Sequence, residues 1–189
     1  MEENKEQLTQ EQSIKLDLYF WLQALVVALV CLIVIFAFFG RIIGVDGSSM
    51  YPTLRDKDLL LLQSIAYAPE QGDVVVLNKP FGSVNGPIVK RVIATEGQTV
   101  SIDYISRTVS VDGQVLREEY INEPMDWPDS QWETITNVTV PEGSIFVMGD
   151  NRNHSSDSRD ERLGCIDERL VLGKVLCVIF PFSNFGAVN

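Results

Sequence analysis

Apolar and polar residues divide the 189-residue chain into two parts with different patterns. Residues 19–39 are almost continuously apolar, and Gln23 is the only strongly polar side chain among them. As an α-helix this segment would be about 31 Å long, enough to cross the hydrocarbon core of a bilayer. The pattern predicts a single transmembrane helix, with a tail at residues 1–17 and an anchor at residues 18–40.

A cleaved secretory signal is the main alternative for this apolar segment. Such signals have a basic region before the apolar core and small residues at the cleavage site. Here the first 17 residues hold five acidic side chains against two lysines, and the apolar run ends in FFGR at residues 38–41. We therefore predict an uncleaved anchor. Its orientation does not follow from charge, because Lys and Arg are similarly numerous near both ends.

Beyond the anchor, short apolar runs alternate with turn residues. The runs lie at residues 58–68, 72–78, 87–95, 99–104, 108–116, 143–149 and 170–181. Their β-branched content and close spacing predict a mainly β fold, in which an antiparallel β domain follows the N-terminal helix. Asp112-Gly113 predicts a tight hairpin turn with positive φ. Residues 122–138 show no clean period and are interpreted as a long irregular excursion from the sheet.

Charge and cysteine content narrow the classes of partner. The formal net charge is −11, so the domain is poorly suited to phosphate backbones and nucleic acid is disfavoured. Cys31, Cys165 and Cys177 lack the spacing of a metal site and are interpreted as small buried hydrophobic residues. A Cys165–Cys177 disulfide remains open if the domain is extracytoplasmic.

The segment VDGSSMYPTL at residues 45–54 is a candidate for chemistry. Gly47 permits unusual backbone angles and Pro52 fixes the following turn. A serine between them can be held on a rigid loop with its N–H facing a substrate carbonyl. An isolated GSS is also common in ordinary turns, so the interpretation depends on the presence of a base.

Two residues are candidates for that base, which a serine nucleophile needs because its hydroxyl is protonated at neutral pH. His154 is the only histidine, and Asp150 and Asp157 near it would complete a Ser-His-Asp arrangement. Lys90 lies in the apolar run IVKRVI, where strand alternation would point it into an apolar layer and Arg91 away. Burial would lower the lysine pKa. Seen alone, each also fits a solvated surface side chain.

Four motifs appear in a familiar order after the apolar helix. They are GSSMYPTL at 47–54, GDVV at 72–75, KRVI at 90–93 and GDNRNHSSDSR at 149–159. Together they resemble the bacterial type I signal peptidases, Ser-Lys peptidases that remove signal peptides from exported proteins. Four ordered motifs are far more specific than any one of them.

The resemblance implies a role for each matching residue. Ser49 would be the nucleophile, and Lys90 the general base and later the general acid. Ser155 would orient the lysine amine, supported by an ion pair of Asp157 and Arg159. It also implies shallow pockets that accept small side chains at the first and third positions before the cut. The residues implied to line these pockets are Met50, Leu54, Ile88 and Val89. The substrate would bind as an extended strand along residues 86–89 and 46–48.

The resemblance also implies partners and location. The partners are the signal peptides of exported preproteins, the lipid bilayer and the nearby protein export machinery, with no metal or organic cofactor. It implies a single-pass protein of the cell membrane, with a cytoplasmic N-terminus and the catalytic domain outside. Ser49 lies ten residues past Phe39, so even an extended linker would keep it within about 35 Å of the membrane.

The chain departs from the family pattern at three positions. Gly47 stands where some members carry a serine whose hydroxyl helps stabilise the oxyanion, so the Ser49 N–H would carry more of that role. Asn153 and His154 replace the more usual acidic residue and asparagine. Related enzymes of the endoplasmic reticulum use a histidine in place of the lysine, but Lys90 remains here, so His154 is predicted to be a bystander.

These observations predict a β catalytic core at residues 45–97 and 141–189 with an inserted cap at residues 98–140. Self-cleaving repressor-type peptidases share the Ser-Lys dyad, but they carry a DNA-binding or flexible arm and no membrane anchor. The remaining alternative is a catalytically inactive, membrane-tethered β module that binds exported peptides.

Overall fold

The computed structural model describes residues 10–39, 41–65, 67–79, 86–128 and 134–188. The chain divides into two compact units, residues 1–39 and residues 40–189. The described residues of the first unit form one helix, α1 (Gln10–Phe39). Its segment Ile14–Ile33 is long and apolar enough to cross a membrane, judged by length and composition, and its side chains are exposed. The helix begins inside the predicted tail, where Gln, Glu and Lys are good helix formers.

The second unit contains twelve strands in two sheets among the described residues. The strands are β1 (Arg41–Gly44), β2 (Leu59–Gln63), β3 (Val74–Leu77), β4 (Ile88–Ala94), β5 (Thr99–Asp103), β6 (Thr108–Val111), β7 (Gln114–Val115), β8 (Asn137–Thr139), β9 (Ser144–Met148), β10 (Ile166–Asp167), β11 (Val171–Phe180) and β12 (Gly186–Ala187). All strand pairs are antiparallel. The predicted mainly antiparallel β fold is confirmed.

The larger sheet has the order β1-β2-β11-β3-β4-β9-β10, with β12 paired to β11. The smaller sheet has the order β7-β6-β5-β8, and its strands come from the stretch in which the cap is predicted. Apolar side chains of the smaller sheet pack with Ile93, Phe146 and Met148 from β4 and β9. All seven residues of β4 are buried, and they pair on both sides, with β3 and β9. Strand β4 therefore runs through the middle of the β unit.

Every predicted β run contains a strand, and the predicted hairpin turn is confirmed. Asp112 and Gly113 join β6 to β7 with φ of 52° and 78°. The sequence pattern did not predict β1, β8, β10 and β12, which have two to four residues and are too short to alternate clearly. Strand β8 overlaps the end of the segment predicted to be irregular. Cys165 and Cys177 are half-buried free thiols, so the disulfide is not formed, and Cys31 is exposed on α1.

Candidate active site

The loop between β1 and β2 holds Ser49 in place. The Val45 N–H donates to the Asp58 carbonyl at 2.8 Å, and the Lys57 N–H donates to the Val45 carbonyl at 2.9 Å, so the two ends of the loop are tied together. Gly47 has a φ of 98°, in the region that favours glycine. Met50 is buried in the core directly after the serine. Ser49 therefore lies on a short loop that is closed at its base.

The segment after β9 is hydrogen-bonded to the backbone of this loop. The Asn151 N–H donates to the Ser49 carbonyl at 3.0 Å, and Asn151 Nδ2 donates to the Ser48 carbonyl at 3.1 Å. Gly149 lies so close that an added Cβ would overlap the Ser155 side chain and the Ser49 carbonyl oxygen. The motif at 149–159 thus supports the Ser48–Ser49 backbone by direct contact.

Lys90 and Ser49 are hydrogen-bonded side chain to side chain. Lys90 Nζ lies 2.7 Å from Ser49 Oγ and donates to the Val89 carbonyl at 3.0 Å. The lysine comes from the middle of β4 and is only 4% exposed. Burial lowers the pKa of Lys90 to about 8, although the charges of Asp157 and Asp150 act in the opposite direction. About a tenth of the amine is therefore neutral, and able to accept a proton, at pH 7, far more than for an ordinary lysine.

Asp157 and Arg159 form a two-point ion pair beside the dyad. Arg159 Nε lies 2.7 Å from one Asp157 carboxylate oxygen, and Arg159 Nη2 lies 2.9 Å from the other. Burial opposes ionisation of Asp157, but the charge of Arg159 and its hydrogen bonds keep the pKa of the carboxyl below its usual value. The same carboxylate accepts a hydrogen bond from the Gly149 N–H at 2.9 Å. The pair therefore holds the segment on which Ser49 rests.

Ser155 does not make its predicted hydrogen bond to Lys90. Its Oγ is buried against Gly149 and lies beside the Asp157 carboxylate. The hydroxyl lies next to the dyad, but in this structure the Lys90 amine is held by Ser49 and the Val89 carbonyl.

A cleft of about 360 Å³ opens at the dyad. Its walls include Met50, Ile88 and Val89, together with residues 44–49, Pro87, Lys90, His154 and Ser156. Leu54, which was also predicted to line a substrate pocket, is fully buried in the core and is not among the residues that line the cleft. One turn of backbone separates Met50, which has a face on the cleft, from Leu54, whose N–H donates to the Met50 carbonyl.

The Ser-His-Asp arrangement is not assembled. Asp150 is paired with Arg91, with Nε–Oδ1 and Nη2–Oδ2 both at 2.8 Å, and it also accepts a short hydrogen bond from Thr53 Oγ1. Asp157 is paired with Arg159. The exposed His154 imidazole has no hydrogen bond within the described residues. His154 borders the cleft without a carboxylate to orient it.

The sequence pattern did not predict the buried polar network around Arg91, a residue of β4. Arg91 points to the opposite side of the strand from Lys90, as alternation predicts, but it is buried at 2% exposure. Its guanidinium lies 4.0 Å from the centre of the Tyr120 ring. The ion pair of Arg91 and Asp150 is buried and joins β4 to the segment at residues 149–159. The sequence signal for this pair was an arginine inside an apolar run, because a buried charge needs a partner of opposite charge.

The residues that the structure describes contain no group of three or more His, Cys, Asp or Glu side chains arranged to hold a metal ion. The site instead offers a hydroxyl, a buried amine and a cleft. With a neutral amine, this arrangement can activate the hydroxyl as a nucleophile toward a carbonyl group.

Comparison with known proteins assigns the family. Residues 18–180 match the model described as signal peptidase, peptidase S26. The chain is 36% identical to signal peptidase I of Bacillus licheniformis over 94% of this chain and 97% of that protein. It is 33% identical to signal peptidase IB of Staphylococcus aureus over 90% and 94% of the two chains. A crystal structure of a signal peptidase I from Enterococcus faecalis is 29% identical, with a TM-score of 0.45, over 57% of this chain and 97% of that chain. The chain belongs to the signal peptidase family, peptidase S26, and is an enzyme of the hydrolase class.

Proposed function

We propose that the protein is a membrane-anchored serine endopeptidase that removes signal peptides from exported preproteins by a Ser49–Lys90 dyad. The observation that carries the proposal is the 2.7 Å separation of Lys90 Nζ and Ser49 Oγ, with an amine whose pKa is lowered to about 8 by burial. Family membership supports the same reaction. The dyad supplies a nucleophile and a base in direct contact, which peptide-bond hydrolysis requires.

The reaction proceeds in two steps. Neutral Lys90 takes the proton of the Ser49 hydroxyl while Oγ bonds to the scissile carbonyl carbon, and the Ser49 N–H stabilises the resulting oxyanion. The protonated lysine then gives its proton to the leaving nitrogen as the carbon–nitrogen bond breaks, which releases the mature protein and leaves an ester on Ser49. Water, deprotonated by Lys90, attacks this ester, and the lysine then returns the proton to Ser49 Oγ as the ester bond breaks. The products are the signal peptide carboxylate and free Ser49.

The cleft supports selection of small side chains. A peptide lying as an extended strand along residues 46–48 and 86–89 would gain main-chain hydrogen bonds, which bind without regard to sequence. Along a strand, every second side chain points to the same face. The first and third residues before the cut would therefore meet the walls formed by Met50, Ile88 and Val89, and sites of the Ala-x-Ala type fit this arrangement.

Location at the cell membrane rests on two features. The apolar helix suits a single anchor. The proposed removal of signal peptides from exported proteins places the N-terminus in the cytoplasm and the β unit outside, near the protein export machinery. In the β unit, Phe180, Phe182 and Phe185 are exposed near the C-terminus, Phe182 to 82%. Exposed aromatic side chains of this kind mark surfaces that contact other molecules or a membrane. We assign them to the bilayer surface, where the substrate's own apolar segment also lies.

Cleavage should follow the titration of Lys90. Below the lysine pKa the amine is protonated and cannot accept the Ser49 proton, so kcat/KM is expected to rise with pH and reach a plateau, with a midpoint near the pKa of about 8. The measurement is kcat/KM for a peptide substrate across this pH range. A rate that is already constant from mildly acidic pH upward would contradict the neutral-lysine base.

His154→Ala should keep most of the activity, within about threefold of the wild type, because the imidazole lacks a carboxylate partner and Lys90 already contacts the nucleophile. Its pH profile should keep the same rising limb. A loss as large as that of Ser49→Ala, in a folded protein, would assign the base to His154.

The proposed function is tested with the full chain in detergent and a preprotein whose signal peptide ends in Ala-x-Ala. Mass spectrometry of the products should show one cut, directly after the second alanine. Binding of the preprotein without any cut would instead identify a catalytically inactive peptide-binding module.

A further inference from the structure

The carbonyl of Ser48 is held from two sides. It accepts one hydrogen bond from the Tyr51 N–H at 3.1 Å and another from Asn151 Nδ2 at 3.1 Å. The Asn151 N–H holds the next carbonyl, that of Ser49, at 3.0 Å. Asn151 therefore binds both peptide groups that flank the Ser49 nitrogen and α-carbon.

Holding the Ser48 carbonyl also sets the direction of the Ser49 N–H. The Ser48–Ser49 peptide bond is trans, and in a planar trans peptide the C=O and the N–H point in opposite directions. With the carbonyl turned toward Asn151 and Tyr51, the N–H must point away from them. This N–H has no acceptor in the described part of the chain, and Ser49 lines the cleft.

We propose that Asn151 is a positioning residue that aims the Ser49 N–H at the oxyanion formed during cleavage. The proposal rests on the proposed function, because it requires that Ser49 Oγ attack the scissile carbonyl carbon and form the tetrahedral intermediate. Gly47 provides no hydroxyl to share this role. The direction of a single N–H therefore matters more in this chain, and a donor is effective only when it is already aligned as charge develops.

The burial of Asn151 agrees with this role. The residue is 5% exposed, and its Oδ1 is buried without a hydrogen-bond partner. A buried polar atom left unpaired destabilises the fold, so an apolar residue would suit a purely structural position better. What the asparagine side chain adds is the hydrogen bond to Ser48.

The test compares Asn151→Ala with Asn153→Ala in the full chain in detergent. Asn153 is a matched control, because its amide binds Glu123, the Pro124 carbonyl and Asp126, and it makes no hydrogen bond to the Ser48–Ser49 backbone. Asn151→Ala should lower kcat by about 10–100-fold with KM within about threefold, since loss of an oxyanion donor costs about 10²–10³-fold and a misaligned donor costs less. Asn153→Ala should change kcat by less than about threefold.

A second readout separates alignment from general damage. Ser49 Oγ adds to the carbonyl carbon of a substrate-like peptide aldehyde. The aldehyde oxygen then lies where the oxyanion would lie. Asn151→Ala should weaken inhibition by this aldehyde by the same factor as kcat, whereas binding of the corresponding uncleavable peptide should change by less than about threefold. The pH midpoint of kcat/KM should not move, because Lys90 keeps its surroundings.

Three results would overturn the proposal. The first is full activity of Asn151→Ala, and the second is an equal loss of affinity for the aldehyde and the uncleavable peptide, which would indicate a structural role. The third is a wild-type protein that neither cuts the substrate nor takes up the aldehyde. That last result would also remove the proposed function, whereas the first two leave it intact.

Discussion

Lys90→Met is expected to lower the rate of signal peptide cleavage by on the order of 10³-fold or more. Methionine resembles the lysine stem in length and suits a buried site, but it cannot accept the Ser49 proton. The Ser49 hydroxyl, which lies 2.7 Å from Nζ in the wild type, would stay protonated and poorly nucleophilic. General bases contribute about 10²–10⁴-fold, and the loss is at the upper end when the base also protonates the leaving group.

The fold should survive this change, because it removes an ionisable amine from a site that is 4% exposed. Thermal unfolding of Lys90→Met should therefore occur at or above the wild-type temperature. Lys79→Met is the matched control, since Lys79 donates to the Leu163 carbonyl and does not line the cleft. If Lys90→Met kept more than about a tenth of the wild-type rate, another group would have to be the base.

Gly149→Ala adds a single methyl group near the site and is expected to lower both stability and activity. The new Cβ would overlap the Ser155 side chain and the Ser49 carbonyl oxygen, so either the loop or the segment at 149–151 must move. Overpacking of this kind costs about 1–3 kcal/mol of unfolding free energy. A displacement of the nucleophile by about 1 Å is enough to lower catalysis by about 10²-fold.

The measurements for Gly149→Ala are thermal unfolding and kcat/KM beside Gly186→Ala. Gly186 is a matched control, because a Cβ there would meet no atom within 4 Å and its backbone does not require glycine. Gly186→Ala should behave like the wild type in both measurements. Wild-type stability together with wild-type kcat/KM for Gly149→Ala would mean that the loop does not depend on this close contact.

Much of the fold follows from the sequence because its strands are regular. Strand β4 carries an apolar run that only Lys90 and Arg91 interrupt, and the structure buries all seven of its residues. Asp112-Gly113 predicts its own turn, since few residue pairs accept two consecutive positive φ angles. Strand β12 has two residues and forms through its pairing with β11, so no local pattern could have predicted it.

Only part of the candidate site could be predicted from the sequence. Ser49 and Lys90 are 41 residues apart, and periodicity alone gives no reason for them to meet; the motif order supplied that pairing. Leu54 was placed in the cleft because of its motif, but the turn after Met50 points it into the core. The role of Asn151 was not predicted, because it acts through a backbone contact between distant segments.

Whether Ser49 is the nucleophile of signal peptide cleavage is tested by cleavage of an Ala-x-Ala preprotein by Ser49→Ala beside the wild type. The hydroxyl lost in this variant lies in the cleft, so the fold should be unchanged and thermal unfolding should match the wild type. We expect a single cut by the wild type and none by Ser49→Ala over the same time. A cut by Ser49→Ala at the same bond and at a comparable rate would contradict this assignment.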